Sequence, residues 1–145
     1  MLDRSFIGKK YQSVVFDVEK QRLRFFSLAT GQTDAIYFDE EYAQPLGHPS
    51  LLAPPTFLTT IQMEQDKPFE YLDDPNIDIG RILHAYQNYE YFAPIYAGDR
   101  VTLDIHICDM YDKRNGELQF CELQSTFTNQ NDVLVATLNA AFVVR

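Results

Sequence analysis

The C-terminal part of this chain alternates. In "VTLDIHICDMY", Val101, Leu103, Ile105 and Ile107 are apolar at every second position. That spacing turns one face of a β-strand toward a core and the other toward water. Asn115-Gly116 comes next, the dipeptide that suits a two-residue hairpin turn, and "ELQFCELQSTFT" comes after it. A helix has no face of period two, so this stretch is confined to a hairpin. A polar turn at Asn129 to Asp132 leads into a third β-like run, "DVLVATLNAAFVV", and "RILHAYQNYEYFA" supplies another upstream. These four runs predict an antiparallel meander.

The N-terminal half reads differently. Tyr11 to Phe16 is a short strand candidate, and Asp17 is placed to cap "VEKQRLRFFSLAT". In that helix Leu23, Phe25, Phe26, Leu28 and Ala29 form the expected buried side, and Gly31 suits the left-handed position after its end. "FDEEYAQPLG" reads as a helical turn stopped by Pro45 and Gly47. "LLAPPTFLTTIQMEQ" reads as a buried helix with Pro54 and Pro55 in its first turn, where a missing amide hydrogen costs least. Phe57, Leu58, Ile61 and Gln62 share one face. "DKPFEYLDDPNIDIG" reads as a loop. The expectation is one α+β domain over residues 1–145, a curled antiparallel sheet around a central helix.

Charge narrows the function. The net charge of −9 opposes a phosphate backbone, so no nucleic-acid partner is expected. No stretch approaches the roughly 20 apolar residues of a membrane span, and "MLDRSFIGKK" lacks the apolar core of a signal peptide. A cytoplasmic protein without a membrane partner is expected. The two cysteines, Cys108 and Cys121, fall on the hairpin. A two-residue turn sets Cys108 opposite Leu123, with Cys121 its diagonal neighbour, so reduced thiols are expected. His48, His84 and His106 show no metal-ligand spacing, and neither metal nor cofactor is expected.

Two segments carry a family resemblance. "GHPSLLAPPTF" (Gly47 to Phe57) resembles a signature of the N-terminal MaoC-like dehydratases, the domain of fatty-synthase-type dehydratases. "LHAYQNYEYFAPIYAGD" (Leu83 to Asp99) resembles their "HGEQ…P…GD" strand and turn: His84, Gln87, Tyr91, Pro94, Gly98 and Asp99 match, and Ala85 replaces a glycine. With "ATG…YFDEEYA" the resemblance covers nearly the whole chain. It implies a hot-dog fold used in pairs, and acyl thioesters of coenzyme A or acyl carrier protein as ligands. The implied chemistry moves water between (R)-3-hydroxyacyl and trans-2-enoyl thioesters.

That chemistry needs a carboxylate and an imidazole around one water, donors for the developing enolate oxygen, and a tunnel for the chain. Catalytic relatives carry the pair in a loop resembling "SGDxNPIHxDxxYA", where this chain has "TGQTDAIYFDEEYA". Gln32 replaces the Asp and cannot carry a proton in that role. Tyr37 replaces the His, and a phenol that ordinarily titrates near pH 10 is a poor base at neutral pH. Relatives begin the central helix with His-Gly, whose amide can meet the thioester. Pro54 and Pro55 stand there instead, with no amide hydrogen. The resemblance therefore implies an acyl-binding module lacking its own catalytic pair.

The substrate-binding set expected from it is Tyr37, Pro55, Thr56, Phe57, His84 and Gln87. Asp34 reads as a loop acid or a cap, and His84 as a structural histidine. Together they are the candidate pair if the site is rewired for a self-sufficient hydratase homodimer. A thioesterase is a further alternative, but no carboxylate stands out on the central helix before Glu64. The partner expected is a second copy or a catalytic MaoC-like chain. Lys9, Lys10, Arg22, Arg24 and Arg100 are the cations available for a pantetheine phosphate.

Overall fold

The computed structural model describes residues 1–73, 75 and 77–145. Five strands form one antiparallel sheet: β1 (Val14–Asp17), β2 (Ile82–Tyr91), β3 (Arg100–Lys113), β4 (Leu118–Thr128) and β5 (Leu134–Val144). Their order is β1-β3-β4-β5-β2. The alternation expected for β3 holds: Val101, Leu103, Ile105 and Ile107 are buried. Leu103, Ile105 and Ile107 lie opposite Phe127, Ser125 and Leu123 of β4, which line the same inner face. The hairpin turn puts Asn115 at φ 55° and Gly116 at φ 90°, the type I′ geometry that Asn-Gly favours. At the second turn, the Asn129 carboxamide oxygen accepts from the Asn131 and Val133 amides at 2.9 and 3.2 Å.

Among the described residues four α-helices accompany the sheet: α1 (Lys20–Ala29), α2 (Glu40–Ala43), α3 (Leu58–Met63) and α4 (Glu70–Asp73). The sheet curls around α3, whose Leu58 and Ile61, with Phe57 just before them, join the inner-face residues in one core. This is the hot-dog arrangement that the resemblance implies. Edge-to-face rings lock α1 and β1 onto that helix: Phe26 and Phe16 lie 5.5 and 6.2 Å from Phe57. No helix among the described residues is long and apolar enough to cross a membrane.

Several expectations are corrected. The four runs are not a simple meander, because β2 pairs along β5 from Ile82↔Val144 to Tyr91↔Ala136 instead of beside β3. β1 starts at Val14, not Tyr11. Asp17 ends β1 and accepts from Arg100 Nε at 2.9 Å; the residue before α1 is Glu19, which makes no side-chain cap. On α1 the buried residues are Leu23 and Ser27, with Phe26 packed beside them, while Phe25 and Leu28 are 64% and 66% exposed. Positions 23, 26 and 27 share one stripe at 3.6 residues per turn, and 25 and 28 fall off it.

The central helix is only six residues long and begins after the prolines. Pro54 precedes a proline, which biases it away from helix, and Thr56 adopts φ 67°. The stretch from Asp66 to Gly80 is not all loop, since α4 buries Tyr71 and Leu72; its Asp74 and Asn76 lie outside the described residues. Cys108 does not face Leu123: a bulge between Ile107 and Asp109 gives that place to Ile107, and Cys121 lies opposite Met110. Both thiols are free.

Candidate functional site

The segment that carries Gln32 and Tyr37 is held by its own backbone. Gly31 turns at φ 74° and the Gln32 amide donates to the Ser27 carbonyl at 2.9 Å, closing α1. Asp34 Oδ1 accepts from the Ile36 amide at 3.1 Å and caps a single 3-10 turn, Ala35–Tyr37. Asp34 is thus a cap. The turn delivers Tyr37 to a cavity of about 380 Å³, with Pro54, Pro55, Phe57, Tyr91 and Phe92 among its walls. None of the described residues that line this cavity carries a charge.

The floor is made by Pro54, Pro55 and Phe57, with Thr56 in the turn between them. The Phe57 amide donates to the Pro54 carbonyl at 3.1 Å. The Thr56 amide is the first after the prolines, and it donates to the Tyr91 hydroxyl at 2.8 Å. That bond holds a β-branched residue in the left-handed region, where such residues are rare. Tyr91 in turn stacks on Tyr89, with centroids 5.8 Å apart and planes 15° from parallel. Burial pushes both phenols above their ordinary range, so both remain protonated donors at neutral pH.

His84 and Gln87 lie elsewhere. With Tyr89 and Tyr91 they occupy the inner face of β2, because their partners on β5 are Phe142, Ala140, Leu138 and Ala136. The bulge between His84 and Tyr86 lets His84 share that face with the odd-numbered positions. His84 and Gln87 line a second, smaller cavity of about 230 Å³ with Gln62, Tyr71 and Phe142. A polar rung separates the two cavities. Tyr89 Oη and Thr59 Oγ1 are 2.5 Å apart, and Gln87 Nε2 donates to Tyr89 Oη at 3.0 Å. The order along β2 (91, 89, 87, 84) matches the order along α3 (57–58, 59, 62–63), so the rung crosses the seam midway.

The expected residues therefore divide. Tyr37, Pro55 and Phe57 meet on the first cavity, and Thr56 faces it only through its amide bond to Tyr91. His84 and Gln87 belong to the second. Asp34 and His84 are not brought together: each is on a different element, and they share no hydrogen bond among the described residues. Asp99, matched to the family turn, is structural. Its Oδ2 accepts from the Tyr96 amide and its Oδ1 from Gln130 Nε2, both at 2.8 Å, beside Gly98 at φ 95°. Of the expected phosphate cations, Arg22 pairs with Glu19 and Glu64 and Arg100 with Asp17, and none of the five lines the first cavity.

What was not singled out from sequence is Thr59, together with the hydrogen bonds that Tyr89 and Tyr91 make. The signal was present in the alternation of Gln87, Tyr89 and Tyr91 along β2, which places three hydrogen-bonding side chains on one face. No group of three His, Cys, Asp or Glu side chains among the described residues is close enough to hold a metal ion.

Comparison with known proteins agrees with this fold. Residues 5–138 match the model of the FAS1-like dehydratase domain region. A UPF0336 protein of Streptomyces coelicolor is 35% identical over 105 residues, which is 70% of this chain and 69% of that one. Among solved structures, the HadBC (3R-hydroxyacyl-ACP dehydratase) complex of Mycobacterium tuberculosis superposes with a TM-score of 0.76 at 25% identity, covering 92% of each chain. A MaoC-like dehydratase superposes with a TM-score of 0.83 at 23% identity, covering 97% of this chain and 42% of that longer one.

Proposed function

Because this chain belongs to the FAS1-like dehydratase domain family, with its MaoC-like hot-dog fold, we propose that it is the acyl-thioester-binding subunit of an (R)-3-hydroxyacyl dehydratase or (R)-specific enoyl hydratase. In this reading it lacks its own catalytic pair and works beside a catalytic MaoC-like chain. The observation that carries it is the first cavity. Its walls are apolar and uncharged, Tyr37 stands where a base would, and the nearest amide after two prolines is already bonded to Tyr91. An uncharged apolar cavity can hold an acyl group, but it has no carboxylate or imidazole to move a proton onto water.

The free edge of β2 supports the partnership. Among the described residues only one side of this strand is paired, with β5, and Leu83 and Tyr86 on it are 45% and 40% exposed. An unpaired edge carrying large apolar side chains is a surface that proteins normally cover. The similar HadBC dehydratase is itself a complex.

The test is a reconstitution. A second hot-dog chain is expected to co-purify, and the complex to hydrate crotonyl-CoA. Gln32→Ala and Tyr37→Phe in this chain should leave the kcat of the complex within about twofold. A collapse of kcat with either substitution would place the chemistry in this chain and defeat the proposal.

A further inference from the structure

Two prolines remove the backbone donors from the cavity floor, but they leave a hydroxyl in their place. Tyr91 Oη accepts from the Thr56 amide at 2.8 Å, which uses one of its lone pairs. Its own hydrogen meets no acceptor among the described residues, and Tyr91 is part of the wall of the first cavity. The ring is fixed from two sides, by its stack on Tyr89 and by the Thr56 bond. A phenol that accepts a hydrogen bond from an amide is polarised into a better donor, because chained hydrogen bonds strengthen one another. Burial also disfavours its ionised form, so it keeps that hydrogen at neutral and mildly alkaline pH.

We infer that Tyr91 is the carbonyl-binding group of the cavity: its hydroxyl donates to the thioester oxygen of a bound acyl thioester, in the place of the backbone amides that Pro54 and Pro55 lack. This rests on the acyl-thioester reading above. It gives the Thr56 backbone a purpose, since the left-handed turn is what aims that amide at the phenol. The cavity wall holds one other phenol on a separate segment, Tyr37. For Tyr37 no anchoring amide of this kind is seen among the described residues, which sets Tyr91 apart.

The experiment compares two probes on the purified full chain, with any co-purifying hot-dog partner retained. Butyryl-CoA carries the carbonyl; S-butyl-CoA, the corresponding thioether, does not. The unmutated chain should bind butyryl-CoA more tightly. Tyr91→Phe should weaken butyryl-CoA by about two- to tenfold, the range of one net hydrogen bond, and leave S-butyl-CoA unchanged. Equal losses for both probes would mean that Tyr91 only supports the turn, and would overturn the inference while leaving the acyl-binding reading intact. A selective loss in Tyr37→Phe instead would overturn the assignment to Tyr91. Failure of the unmutated chain to bind butyryl-CoA would defeat the acyl-binding reading itself, and this inference with it. Should Tyr91→Phe not fold, a fluorine label on the Tyr91 ring serves: its resonance should move with butyryl-CoA and not with S-butyl-CoA, and equal movement overturns the inference.

Discussion

Replacing Phe57 by alanine tests the join between core and cavity. The ring is 1% exposed, sits edge-to-face against Phe16 and Phe26, and also walls the first cavity. Burying a phenylalanine removes about 150–250 Å² from water, worth up to about 4–6 kcal/mol at about 25 cal/mol per Å². Comparable substitutions cost about 3–5 kcal/mol once neighbours relax. A domain of this size holds about 5–15 kcal/mol in total, so Phe57→Ala should remain folded with little margin. Urea unfolding monitored by circular dichroism should show a midpoint shift at unchanged slope. Phe57→Leu, which keeps most of the volume, should lose about 1–1.5 kcal/mol. A loss below about 1 kcal/mol for Phe57→Ala would refute the packing argument, because it would mean that the ring mainly faces open cavity and not Phe16 and Phe26.

Three further outcomes are expected. Burial pushes the Cys121 thiol and the Tyr71 phenol each up to about 12. A group that holds its proton more tightly when folded adds stability that is intact below its unfolded pKa and is lost as pH rises toward the folded one, here from about pH 9 for the thiol and about pH 10 for the phenol. Urea melts between pH 8 and pH 11 should therefore show falling stability, and Cys121→Ala should flatten the slope; parallel curves would refute this. Thr56→Gly keeps the amide that Tyr91 accepts from while relieving a left-handed β-branched residue, and should raise stability by up to about 1 kcal/mol by thermal unfolding. Tyr89→Phe removes the rung to Thr59 and Gln87 and should cost about 1–2 kcal/mol in the same assay; no change would show that the rung is idle.

The sheet was legible in the sequence because its information is local. Alternation and Asn-Gly chemistry act within a few residues, and Val101 to Ile107 could not be read otherwise. The features that were not legible are set by distant contacts or by one-residue irregularities. The place of β2 beside β5 depends on pairing across the chain. The bulge at Cys108 moves one partner and leaves no local mark. The prolines suggested a helix start, yet consecutive prolines and the bond from Thr56 to Tyr91 across the seam delay it to Leu58. At the site, the substitutions at Gln32, Tyr37, Pro54 and Pro55 were readable against the resemblance. The bond from the Thr56 amide to the Tyr91 hydroxyl was not, because it joins residues 35 positions apart.

The central claim is that this polypeptide cannot move the proton that hydration requires. The most direct measurement is the loss of enoyl absorbance when the lone, folded chain, freed of any co-purifying partner, is mixed with crotonyl-CoA at high enzyme concentration. The account expects the buffer rate. Turnover well above that rate, abolished by Tyr37→Phe or Asp34→Asn, would contradict it.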